Sequence, residues 1–156
     1  MSLRKLTFLF LVLLASIAWA GGHDVEETKS AAMMVATLKN IVQWSIPHEK
    51  LRTTLELVPN SKPYVTRGKW MGQIFTKNGQ ETGFIHVSYD GDIPVVATYS
   101  TAPASPAIAR QIHAVFEDAM RSHYTRMYGG YFNLGDGIIA ELRLAENSMA
   151  VFVERQ

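Results

Sequence analysis

The chain of 156 residues has no cysteine. That absence removes disulfides, thiolate metal sites and cysteine redox chemistry together, and it leaves no thiol to carry a lipid. Stability must come from packing. An excess of one charge is missing too: 15 Lys and Arg stand against 14 Asp and Glu. Proteins built to hold nucleic acid or an anionic membrane carry a basic surplus, so no nucleic-acid partner is expected. The sequence has no run of the roughly 20 apolar residues that a membrane-crossing helix needs, which argues against an integral membrane anchor. Internal repeats, low-complexity tracts, Walker-type loops, dinucleotide-binding glycine patterns, the H-E-x-x-H zinc pattern and the G-x-S-x-G elbow are also lacking. Cofactor enzymes thereby lose their support.

The N-terminus carries one clear pattern. Arg4 and Lys5 give a positive start, Leu6 to Ile17 an apolar middle, and Ala18-Trp19-Ala20 a small-x-small cleavage motif. The expectation is a secretory signal peptide over residues 1–20 and a periplasmic or secreted product over 21–156, of a size that suits one domain. Without Arg4 and Lys5, 13 basic residues face 14 acidic ones, a formal net charge of −1. Cleavage after Ala20 exposes Gly21-Gly22-His23. Its free amine, two amide nitrogens and the imidazole form a square-planar set of four nitrogens that suits Cu(II) or Ni(II). Cleavage after Ala18 destroys that site.

Periodicity organises the rest. Asp24 with Glu27 resembles a capping box, and Ala31, Met34, Val35, Leu38, Ile41 and Val42 share one helical arc, so a helix is predicted over about 25–45. Met33 and Trp44 project off that arc and predict a small exposed apolar patch. Leu51, Thr53, Leu55 and Leu57 alternate with polar residues, the period of a half-buried strand. Strand regions follow over 64–76, 82–89 and 93–101, turning at Asn78-Gly79 and Asp90-Gly91. A second helix is predicted from Pro106 to about Met127, with Ile108, Ile112, Val115, Phe116, Ala119 and Met120 on its apolar arc. Two last strands, 138–144 and 148–154, close the chain as a hairpin. The predicted class is α+β: a single antiparallel sheet of about six strands, a meander plus a C-terminal hairpin, carrying two amphipathic helices in the order α-β-β-β-β-α-β-β.

Three functional readings follow. The leading one is an exported, non-catalytic protein that binds a protein partner through "RSHYTRMYGGYFNLGDG", where Arg121, Tyr124, Arg126, Tyr128, Tyr131 and Phe132 concentrate the residue types that anchor interfaces. Alternatively, Tyr124 and Tyr128 simply extend a buried helical face. The second reading is a copper- or nickel-binding protein that uses Gly21, Gly22 and His23; otherwise no cofactor is required. The third is a small exported hydrolase. It would use His123, or His86 with Ser88 on the same sheet face, and with a two-residue Asn78-Gly79 loop His86 falls opposite Met71. No acid is placed in sequence to orient either base. His123 lies on an apolar helical arc, and there the expected role is packing.

Overall fold

In the computed structural model, residues 25–55, 61–66, 70–77 and 80–156 are described, with side chains for 27–53 and 82–156. The signal-peptide segment, Asp24 and the Gly21-Gly22-His23 motif lie outside the described residues. Helix α1 spans Val25–Gln43. All six residues of its predicted arc are buried, which is why the helix forms where the 3.6-residue period said it should. It ends in a Schellman turn: the Ile46 N–H donates to the Ile41 carbonyl at 3.1 Å, the Ser45 N–H donates to Val42 at 3.3 Å, and Ser45 takes φ 46°. Met33 packs against the core instead of standing clear of it, while Trp44 is exposed.

Residues predicted as a strand form a second helix, α2, His48–Leu55. Leu51 is buried, its neighbours Arg52 and Thr53 are exposed, and the Leu51 N–H donates to the Pro47 carbonyl. The Leu51/Leu55 spacing of four suits a helix as well as a strand. Pro47, with its φ preset for a helix start, favours the helix.

The predicted 64–76 region is two strands, β1 Ser61–Thr66 and β2 Trp70–Lys77, paired antiparallel. After them come β3 Gln80–Asp90 and β4 Ile93–Thr101. Helix α3, Pro106–His123, starts with Ser105 as N-cap, its hydroxyl accepting from the Ile108 N–H at 3.3 Å, and with Pro106 in the first turn. Ile108 from its predicted arc is exposed, near the start of the helix; the other five are buried. Four strands complete the chain: β5 Thr125–Arg126, β6 Tyr131–Gly135, β7 Ile138–Leu144 and β8 Met149–Arg155.

All strands join one antiparallel sheet, ordered β1-β2-β3-β4-β8-β7-β6-β5. The expected class and architecture are those observed. The sheet exceeds the expected six strands through β5 and β6, because Phe132 and Leu134 alternate with exposed Tyr131 and Asn133 in a stretch whose glycines suggested a break. Among the described residues, helices α1 and α2 precede one four-stranded meander and α3 precedes another, and the two meanders meet where β4 pairs with β8, Thr98 opposite Phe152. Helices α1 and α3 pack against each other on one face of this seam, and α2 touches β1 and β2. Between helices and sheet lies a core that includes Met34, Leu38, Tyr99, Phe116, Phe132 and Val151. Among the described residues no helix packs on the opposite sheet face.

Candidate protein-binding surface

Helix α3 stops at Tyr124, whose backbone is extended at φ −134° and ψ 157°, so the chain reverses at once into β5. Thr125 pairs with Asn133 and Arg126 with Phe132. The Met127 N–H then donates to the Tyr131 carbonyl at 2.8 Å, which leaves Tyr128, Gly129 and Gly130 as the tip of a tight connection. Gly129 needs its freedom there, at φ +70°. At Gly130 the constraint is space: its carbonyl accepts from the Leu142 N–H at 2.9 Å, and a Cβ would sit 2.7 Å from the Leu142 carbonyl oxygen. The tip is therefore tied to β7 by its own backbone.

Tyr128 projects from it, 98% exposed, with Met127 and Tyr131 also exposed beside it in sequence. Arg121 donates to the Glu117 carboxylate at 2.8 Å, and Arg126 approaches the same oxygen at 3.7 Å. The Arg121 hydrogen bond, helped by the charges of Arg121, His113 and Arg126 and opposed by partial burial, holds the Glu117 carboxyl below its usual range. Tyr124 is half-buried against the core, and that burial pushes its phenol upward. Phe132 departs from the predicted set. It is 1% exposed and belongs to the core, because on β6 the alternate positions turn toward the helices. Four of the six predicted residues, Arg121, Arg126, Tyr128 and Tyr131, thus reach the surface.

Residues that composition did not single out adjoin Tyr131 on the helix-free face. Glu141 stands opposite it in register. Arg143 donates to Glu141 at 2.7 Å and lies 4.5 Å above the Phe152 ring. Hydrogen bonding from Arg143 first, and also from Tyr131, keeps the Glu141 carboxyl low. The signal was present in the alternation of β7 and β8, which puts Glu141, Arg143 and Phe152 on the face away from Leu142 and Val151.

The hydrolase candidates lie on separate elements, His86 and Ser88 on β3 and His123 at the end of α3. His86 stands opposite Gly72, not Met71, because the register shifts by one between Thr76↔Glu81 and Phe75↔Gly83 after the hairpin begins at Lys77↔Gln80. Burial lowers the His86 imidazole. Ser88 shares its face, but the carboxylates of their cross-strand rows stand off: Glu154 in the Ser88 row is two strand spacings away, about 10 Å, and Glu141 in the His86 row is three, about 14 Å. His123 is exposed, not packed in the core. Among the described residues no three His, Asp or Glu side chains converge as a metal site, and no helix is long and apolar enough to cross a membrane. Compared with known proteins, the chain matches no family model, and neither the curated proteins nor the solved structures contain a significant match.

Proposed function

We infer that this is an exported, non-catalytic protein that binds a protein partner, acting as an inhibitor, an immunity factor or an envelope accessory, and that the β5–β6 tip is its grip. The observation that supports this most is Tyr128, almost wholly in water on a backbone held to β7. A tyrosine offers a large contact area with few torsions to immobilise, and residues of this type in a partner's pocket carry much of an interface's energy. Tyr131 follows it on β6, and Arg126 precedes it on β5, held with Arg121 at the Glu117 carboxylate. The test places a photo-cross-linking aromatic amino acid at position 128 in producing cells. A discrete adduct with one protein is expected there and not from position 118, which is exposed on α3. No adduct at either 128 or 131 ends the reading.

A second reading rests on the sequence Gly21-Gly22-His23. Should cleavage follow Ala20, the new terminus holds Cu(II) through four nitrogens. Intact mass and a visible-absorption Cu(II) titration decide it: stoichiometric binding that His23→Ala abolishes supports metal handling, and a product starting at Trp19 eliminates it.

A further inference from the structure

The sheet face on which no described helix packs carries few charges. Its central row runs across the strands as Gly72, His86, Thr98, Phe152, Glu141 and Tyr131. Along the strands, the rows on either side add Phe84, Ser100, Ala150 and Arg143, and Ser88, Val96, Glu154 and Ile139. Among these positions only Glu141, Arg143 and Glu154 carry full charges; beyond them the Phe84 row continues through Ile74 to Lys62 on the edge strand β1. A solvated face of an antiparallel sheet is ordinarily polar, whereas depletion of charge around aromatic residues marks the middle of a protein contact.

We propose that this face binds a second copy of the chain, with the twofold axis parallel to the strands along the β4–β8 seam. Such an axis lays β4 on the partner's β8, β3 on the partner's β7 and β2 on the partner's β6. His86 then meets the partner's Glu141, and Phe84 meets the partner's Arg143. Gly72, which has no side chain, meets the partner's Tyr131. Aligned sheets cross at roughly 30°, so this register holds best near the seam. The other in-plane axis, across the strands, would set Glu141 on Glu141, two carboxylates whose like charge disfavours the arrangement. Size agrees as well. Eight strands about 4.8 Å apart and about 20 Å long present a face on the order of 700 Å², close to the ~800 Å² per partner of a stable complex. The dimer uses Tyr131 but not Tyr128, so contact at position 128 tests the tip reading separately from the dimer.

The absence of cysteine makes the test clean. Residue 98 lies beside the axis, so the two copies of Thr98→Cys come within about one sheet separation, roughly 10 Å, and a short bis-maleimide should join them. The expected result is a covalent species of twice the chain mass under denaturing conditions, with Asp118→Cys on α3 staying single. In sedimentation velocity the unaltered protein should be a dimer. His86→Glu, facing the partner's Glu141, should weaken association by at least about tenfold, and adding Glu141→Lys should restore it. Circular dichroism melts establish that each variant is folded. A monomer at hundred-micromolar concentration overturns the proposal. So does a dimer that Thr98→Cys cannot cross-link or that folded His86→Glu leaves unchanged.

Discussion

At Ser45 the chain accepts a left-handed residue in order to end α1. A Cβ at φ 46° costs about 1 kcal/mol, and glycine avoids that cost. Ser45→Gly should therefore stabilise the protein by roughly 0.5–1 kcal/mol in urea unfolding, against the usual direction for a glycine substitution. Destabilisation would mean that the Ser45 side chain contributes more than its backbone strain takes away. Gly130 presents the opposite case. Ala at this position would force its Cβ against the Leu142 carbonyl, backbone that cannot swing aside, so Gly130→Ala should cost about 2 kcal/mol and displace Tyr128. Tyr128→Ala, by contrast, removes a side chain that nothing covers. It should leave the melting temperature unchanged while removing the position-128 contact, and this pair separates a damaged fold from a lost anchor. Composition made Tyr128, Tyr131, Arg121 and Arg126 visible beforehand, since Tyr and Arg near glycines are legible as residue types. It could not reveal that Phe132 faces inward. That depends on β6, whose short Tyr-Phe-Asn-Leu alternation is overshadowed by the glycines on either side.

Between elements, the end of α1 is closed from the far end of the chain. The last turn of α1 has no basic residue, and the Arg155 guanidinium on β8 supplies the cation, donating to Val42 O at 2.9 Å and to Gln43 O at 3.3 Å. Arg155→Gln should lower stability by about 1 kcal/mol and speed amide exchange selectively in residues 41–46. Unchanged exchange there would assign the contact to the surface rather than to the cap. Helix α3 makes its pairing within itself and with β5. Because the Glu117 carboxyl is held low, its contribution is present above the ordinary glutamate range and is lost as pH falls through the folded-state value. Glu117→Gln should thus cost only a few tenths of a kcal/mol at about pH 7, these groups being partly solvated, and progressively less as pH falls below the ordinary glutamate range. Helices α1 and α3 were readable because many apolar positions agreed on one period. Helix α2 was not. Two leucines four apart satisfy periods of both two and 3.6, and Pro47 alone broke the tie. Likewise β1 and β2 read as one run, since only Arg67-Gly68-Lys69 separates two β-rich stretches.

For the molecule as a whole, the decisive feature is the β4–β8 seam, a pairing between residues 50 or more positions apart that no local pattern reveals. Helical and strand periods identify the parts and their buried faces. They do not choose which edge of the first meander meets the second. The core answers why the halves belong together. Tyr99 of β4 stacks on Phe116 of α3 with centroids 5.6 Å apart, both side chains about 1% exposed, and α1 packs against β4, β7 and β8 as well as α3. Either meander alone would bare one side of this core, so neither half should hold its structure without the other. Phe116→Ala removes a ring from the shared region and should cost about 3–5 kcal/mol, a large part of the 5–15 kcal/mol typical of a folded protein. If the halves fold as one unit, amide protection in β3 and in β7 falls by the same factor in this variant, and unfolding by urea remains a single transition with unchanged slope. Loss of protection confined to β7, with β3 intact, would show two separable halves and would place the cooperative boundary at the seam itself.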